Sequence, residues 1–372
     1  MQQAQVLFSE EISTNGKKIG IAQLNSPKSL NALNLAMVEL LIEQVTHWQN
    51  DQNISVIVLS GTGDKAFCAG GDVVSIYHEI LAAQKVSANQ KLSDSEIKAF
   101  AGVEYFTKEY QLDLLIHQST KPILVWADGY VMGGGIGLMA GASHKVVTEK
   151  TLMAMPEVTI GLYPDVGASW FLNQMPKGVG LFLGLTGMTF NGADAKIIKL
   201  ANHQVKSTDK QLILTALNTV DWQKNNEENH HLLSQLLNTY ETKFEEQHSN
   251  ISEHLATIDK TTSANDIETI YHDIISKNID SVWFNKAQQK IKHGSPLSLH
   301  LIYHQLNKCT GLSLQECFEQ ELNLSSRCCQ HTEFVEGVRA LLVDKDKQPQ
   351  WKYSQIDEVD LTEVEWFFSL IS

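Results

Sequence analysis

Cysteine is scarce in this chain, five in 372 residues. The five (Cys68, Cys309, Cys317, Cys328, Cys329) form no C-x-x-C pair and no zinc spacing. So sparse and odd a set fits reduced thiols, and without an H-E-x-x-H among the 14 histidines it gives no reason to expect a metal. Basic residues are also few: 29 against 43 acidic ones, a formal net charge of −14. That balance excludes a general nucleic-acid or anionic-membrane binder, while a local basic patch could still hold one phosphate-bearing ligand. Uninterrupted apolar runs of membrane-spanning length are missing too. Residues 123–142 approach that length, but Asp128 and a series of glycines break the run and no basic flank follows, so it reads as buried core. The N-terminal "MQQAQVLFSEEISTNG" has neither a basic segment followed by an apolar one nor an Arg-rich character, and the expected location is cytoplasmic. There is no Walker A sequence.

What is present is a composition that can fold: 43% hydrophobic and 19% charged residues, enough for one large domain or two smaller ones. Residues 4–12 and 18–25 read as strands around an Asn15-Gly16 turn, and "LNLAMVELLIEQVTHWQND" carries apolar residues at helical spacing. "ISVIVLSGTG" is a buried strand ending in glycine. "PILVWADGYVMGGG" repeats that order and leads into a helical "IGLMAGAS" and short strands in "HKVVTEKTLMAM". Repeated strand–strand–helix units follow. Residues 75–118 read as a helical hairpin, with Ser93 and Glu96 at capping-box spacing. Beyond Gly192 the composition shifts to charge-rich helices, one starting at Ser295-Pro296 and the last at Asp360 with Glu363 at capping-box spacing.

Two glycine-rich turns follow predicted strands, "KAFCAGGDV" (65–73) and "GYVMGGGIG" (129–137). Glycine serves where the backbone turns sharply or approaches a ligand closely, so the turns are either tight corners or a pair of N–H donors converging on one oxygen. A third reading is a dinucleotide fingerprint, "GIGLMA" with Glu157 about twenty residues on, although that acid follows a proline in "MPEV". "PEVTIGLYPDVG" then sets Glu157 and Asp165 on either side of a nearly apolar run.

Taken together, "KAFCAGGDV", "ADGYVMGGGIGLMAGASHKVVTEKTLMAMPEVTIGLYPDVGASWFL" and "LGLTGMTFNGADA" resemble the crotonase (enoyl-CoA hydratase/isomerase) superfamily over about residues 5–205. "SPLSLHLIYHQL" and "EFVEGVRALLVDKDKQPQW" narrow the resemblance to its 3-hydroxyisobutyryl-CoA hydrolase branch. The resemblance implies an α/β fold, a crotonase-like spiral of ββα units over 1–205, with a mostly helical C-terminal region over 206–372 packed on it. It implies an acyl-CoA thioester substrate in valine breakdown, and an oxyanion hole from the N–H groups of Gly71 and Gly134. It implies catalytic roles for Glu157 and Asp165 and a substrate contact for Glu109. Glu157 would attack the carbonyl or deprotonate a water. Asp165 would bond the 3-hydroxyl of the acyl group. The first glutamate of a hydratase would fall at Gly137, which weakens hydration. Lys28, in "NSPKSLNALN", is a candidate phosphate contact. Cys68, beside the first glycine turn, reads as a small buried residue rather than a nucleophile. No cofactor is expected, CoA being part of the substrate, and no nucleic acid or membrane partner. A homo-oligomer is open, since the C-terminal helices could pack on their own chain or a neighbour. The alternatives are an enoyl-CoA hydratase/isomerase, an acyl-CoA-binding protein of the same fold, and a dinucleotide binder.

Overall fold

Alternating apolar residues in VLFSEEI and KIGIAQL produce the antiparallel pair read from the sequence, β1 (Val6–Ile12) and β2 (Lys18–Leu24), in register from Val6 opposite Leu24 to Ile12 opposite Lys18. The turn is longer than a two-residue Asn-Gly hairpin. Ser13 and Lys17 close it by a backbone hydrogen bond of 2.8 Å, and Gly16 adopts the left-handed conformation at φ +84°. The computed structural model describes residues 4–87, 102–242, 244 and 248–371. The Ser93–Glu96 capping box lies outside the described residues.

The chain forms two compact units. The first comprises Met1–Gly71, Gln111–Met153 and Phe190–Ser252. α1 (Leu35–Asn50), capped by Asn34, buries Met37, Val38, Leu41, Val45 and Trp48. Trp48 lies so close to β2 that a Cβ on Gly20 would fall 2.6 Å from its ring, so only glycine fits there. β3 (Ile54–Gly61) is buried along its whole length, Ser55 and Ser60 included, as befits a central parallel strand. A six-stranded sheet has the order β1-β2-β3-β5-β7-β10, where β5 is Ile123–Ala127, β7 His144–Val147 and β10 His203–Gln204. From β2 onward its pairs are parallel.

A second sheet of order β4-β6-β8-β9 takes the short strands β4 (Ala66–Cys68), β6 (Tyr130–Met132), β8 (Leu152–Ala154) and β9 (Phe190–Asn191). Three times, then, a strand of the larger sheet is followed by a strand of the smaller one. After β4 comes α2 (Val73–Ser87), after β6 comes α4 (Gly134–Ala140), and after β8 a 3-10 turn. This is the expected ββα repeat. Helices Lys210–Leu217 and Asn226–Tyr240 cover the larger sheet, setting Ile213, Leu217, Leu233, Leu237 and the nearby Trp222 against Ile21, Val58 and Trp126.

The second unit comprises Asp72–Tyr110, Ala154–Thr189 and Glu253–Ser372 and is helical. α3 (Val103–His117) begins in it. Phe182 stacks on Trp283 and Phe284 at 5.6 and 5.4 Å in its core. Ser295 caps the helix opened by Pro296, as read from the sequence, through Ser298 N at 3.0 Å. Asp360 caps the final helix Leu361–Phe368, but Glu363 does not close a box with it: its carboxylate bonds Lys352, Tyr353 and His331 instead. Divided by contacts, the chain passes back and forth between the two units, whereas the division at residue 205 implied by the resemblance is contiguous. Residues 123–142 form β5, β6 and α4 in the core. Among the described residues no helix is long and apolar enough to cross a membrane.

Candidate active site

In the first unit, β4 and β6 run parallel, Ala66 opposite Tyr130 and Cys68 opposite Val131, and each runs into a glycine turn. Gly70 takes φ +107°, and a Cβ on it would stand 3.3 Å from Met132 O and 3.9 Å from Gly134 N. The two turns therefore lie side by side. Gly135 has no room for a side chain either, since its Cβ would sit 2.3 Å from Cys68 O. Gly134 is the first residue of α4, so its N–H falls outside the helical ladder. Gly71 bridges Leu33, whose N–H bonds Gly70 O at 2.8 Å. The resemblance pairs Gly71 and Gly134, and the turns that carry them are neighbours in the structure. Cys68 is fully buried and packs as a core residue. Gly137 sits inside α4 with no carboxylate to offer.

The loop before α1 is fixed by Asn31, whose side-chain amide donates to Thr62 O and Ala66 O, both at 3.0 Å. Lys28 stands on this loop, beside a cavity of about 350 Å³ that Pro27, Asn31, Thr62, Gly63 and Lys65 also line.

The acidic residues belong to the second unit. Pro156 ends the extended segment, and residues 157–160 form a single 3-10 turn closed by Gly161 at φ +70°, whose N–H bonds Glu157 O. A Cβ on Gly161 would lie 2.3 Å from Glu333 O, so the turn that carries Glu157 can close only with glycine. The chain then turns again after Asp165: Val166 and Gly167 both take left-handed conformations, at φ +54° and +82°, the former unusual for a β-branched residue. What holds this strained corner is Glu321. Its two carboxylate oxygens accept the N–H groups of Gly167 at 2.7 Å and Ser169 at 2.9 Å.

Glu157, Asp165 and Glu109 are only 6, 4 and 2% exposed. Burial raises all three pKa values. Burial first, then Asp165, pushes Glu109 well up against a hydrogen bond from Tyr105 at 3.0 Å. Burial, then the charges of Asp165 and Glu109, pushes Glu157 well up. Asp165 is raised to about 6 by burial, against the Tyr110 hydrogen bond. The three carboxyl groups thus share one cluster and repel one another. Glu157 Oε2 is buried with no hydrogen-bond partner among the described residues.

Four further residues shape this cluster and were not found in the sequence: Tyr110, Tyr163, Glu321 and Ser325. Tyr110 Oη lies 2.6 Å from Asp165 Oδ2 and 2.7 Å from Ser325 Oγ. Tyr163 Oη lies 2.9 Å from Ser325 Oγ and donates to Glu321 O at 2.8 Å. One signal was available for Glu321: it interrupts the buried helical stripe Cys317, Leu324, Cys328 of Leu314–Gln330, where a charge needs a reason. The dinucleotide reading loses its footing, because Glu157 lies on a 3-10 turn and the glycines follow a three-residue strand of the smaller sheet.

A fold of two-strand repeats with paired glycine turns and a buried acid cluster is that of the crotonase class, and a family model described as enoyl-CoA hydratase/isomerase matches residues 19–368. The chain belongs to that family. Among its relatives are proteins named 3-hydroxyisobutyryl-CoA hydrolase, mitochondrial: that of Gallus gallus is 37% identical over 348 residues, covering 91% of this chain and 83% of the relative, and that of Homo sapiens 36% over 344 residues with the same coverage. Solved structures of a carnitinyl-CoA dehydratase from Mycobacterium thermoresistibile and an enoyl-CoA hydratase from Rhodobacter sphaeroides 2.4.1 share the fold. Each has a TM-score of 0.83, at 29 and 26% identity, over 99% of this chain and 97 and 98% of theirs. Relatives named as mitochondrial overturn the cytoplasmic expectation, which rested on the composition of the N-terminal residues and on the sparse, unpaired cysteines.

Proposed function

We propose that the protein hydrolyses the thioester of 3-hydroxyisobutyryl-CoA, releasing 3-hydroxyisobutyrate and CoA, a step of valine breakdown. The observation that carries this reading is the burial of Asp165 beside Glu157 while position 137 is glycine. Syn addition of water across a double bond uses two carboxylates in complementary roles, one of which the resemblance sets at 137. Thioester cleavage needs something else: a nucleophile, a stabilised oxyanion, and little help for a thiolate that already leaves well. Relatives named for this hydrolysis support the same choice.

In this reading the N–H groups of Gly71 and Gly134 bond the developing oxyanion. Glu157, with one oxygen unpaired, attacks the carbonyl carbon or takes the proton of the water that does. Asp165 bonds the 3-hydroxyl, and Glu109 contacts the acyl group from α3. Lys28, beside its cavity, meets a CoA phosphate. No metal or separate cofactor takes part. Thiol release across a panel of acyl-CoAs, with and without a 3-hydroxyl, tests the proposal. Rapid release from 3-hydroxyisobutyryl-CoA supports it. Hydration of an enoyl-CoA without release would return the chain to the chemistry named for its solved neighbours.

A further inference from the structure

The hydroxyl groups between Asp165 and Glu321 form a chain whose protons can be counted. It has four oxygen–oxygen contacts: Asp165 to Tyr110 at 2.6 Å, Tyr110 to Ser325 at 2.7 Å, Ser325 to Tyr163 at 2.9 Å, and Tyr163 to the backbone oxygen of Glu321 at 2.8 Å. Each contact needs one proton. Tyr110, Ser325 and Tyr163 supply one each, three for four contacts. With Asp165 ionised, Tyr110 donates to Asp165 and Tyr163 to Glu321 O, and Ser325 can donate to only one of its two neighbours. One pair of oxygens is then left facing each other without a proton, in a place where Tyr163 and Ser325 are fully buried. A fourth proton on Asp165 completes the row: Asp165 donates to Tyr110, Tyr110 to Ser325, Ser325 to Tyr163, and Tyr163 to Glu321 O.

We propose that Ser325 and Tyr163, acting through Tyr110, are positioning residues that hold a proton on Asp165 Oδ2. While that proton is held, Asp165 is a neutral acid whose other oxygen can accept the 3-hydroxyl. The catalytic consequence rests on the hydrolase reading; the proton count does not.

The surroundings favour the same state. Asp165 faces Glu109 and Tyr110 from α3, Glu157 and Tyr163 from its own loop, and Glu321, Cys328 and Cys329 from the helix Leu314–Gln330. None of these groups is a cation. Neutralising Asp165 removes the charge that most raises Glu157 after burial itself.

The count makes a prediction of opposite signs. Removing Ser325 as Ser325→Ala leaves two contacts, Tyr110 to Asp165 and Tyr163 to Glu321 O, and two protons, so the ionised Asp165 is now fully satisfied. Tyr163→Phe likewise leaves two contacts and two protons. In both variants the titration midpoint of Asp165 should fall by about one unit or more. Tyr110→Phe deprives the carboxylate of its donor, and the midpoint should rise. A merely structural role for these side chains has no reason to move the midpoint in two directions.

The experiment is infrared titration of the folded protein, reading the carbonyl band of protonated Asp165 as the difference from Asp165→Asn. A wild-type band persisting to about pH 6, lowered by Ser325→Ala and Tyr163→Phe and raised by Tyr110→Phe, supports the proposal. Absence of the band at every pH at which the protein is folded, or a midpoint unmoved in both Ser325→Ala and Tyr163→Phe, overturns it. Should Ser325→Ala fail to fold, Tyr163→Phe carries the same test. Thiol release is measured on the same samples. Midpoints that move as stated without cleavage of any acyl-CoA would defeat the hydrolase reading alone, and cleavage with fixed midpoints would defeat the proton chain alone.

Discussion

Glu321 accepts the backbone N–H of Gly167 at 2.7 Å across 154 positions of sequence, and with its other oxygen the N–H of Ser169. A side chain of a distal helix thus fixes the corner that aims Asp165. The two donors favour its ionised form, while burial and Asp165 push its pKa up to about 8.

Glu321→Gln replaces one acceptor with an NH₂ group facing an N–H. The expected loss is roughly 1–3 kcal/mol, the usual consequence of leaving a buried donor unpaired, together with slower turnover. Urea unfolding and thiol release read the two effects. A variant as stable and as active as the parent would show that the strained pair Val166–Gly167 holds itself.

Glu157→Gln keeps size and most hydrogen bonding but removes the base or nucleophile. Turnover should fall by roughly 10²–10⁴, the typical contribution of a positioned acid–base group, with little change in acyl-CoA affinity. Steady-state thiol release with calorimetric binding checks it, and near-normal hydrolysis would sink the mechanism.

Asp165→Leu removes both polar oxygens at nearly constant volume. Preference for a 3-hydroxyacyl-CoA over the unsubstituted acyl-CoA should drop by an order of magnitude or more, because that preference depends on pairing a buried hydroxyl. The ratio of kcat/KM for the two substrates is the readout. An unchanged ratio would leave Asp165 as a structural acid.

Gly134→Pro deletes one N–H at the first position of α4, the helical position at which proline is most often found. Turnover should fall by about 10²–10³, the usual loss for one oxyanion donor, while circular dichroism stays that of the parent. Parental turnover from the folded variant would place the donor elsewhere.

His144 is sandwiched between His203 and His230, at ring distances of 5.8 and 5.7 Å. Burial first, then the two neighbouring rings, depresses its pKa from 6.5 to about 3. The folded state therefore binds fewer protons than the unfolded chain below pH 6.5, and stability should fall as pH drops from there toward 3. Asp165 has the opposite sign: its raised pKa makes the folded state bind more protons, and its contribution fades as pH rises toward 6. Melting temperatures between pH 7 and 5 should show the histidine slope, and His144→Gln should flatten it. An identical slope in the variant would assign acid sensitivity to another group.

The larger sheet was legible because its strands are short buried runs between turn residues, and the caps at Ser295 and Asp360 because a cap is a local pattern. Glu157, Asp165, Gly71 and Gly134 are legible in the sequence because motif spacing and resemblance point to them. Tyr110, Tyr163 and Ser325 escaped because their hydroxyls meet across 55 to 215 positions and no local period records such a meeting. Glu363 misled because capping-box spacing is also compatible with a carboxylate turned toward Lys352, Tyr353 and His331.

The clamp on the Asp165 corner also sets an order of events at the ribosome. Gly167 is translated long before Glu321, and at about 5–20 residues per second the interval is roughly 8–30 s. During that time the nascent corner, with Val166 in a conformation it does not favour, has no partner for the N–H groups of Gly167 and Ser169. The acid cluster can mature only after the helix Leu314–Gln330 has emerged. A stalled or truncated chain ending before it would carry every residue assigned to the chemistry and still lack the means to aim them.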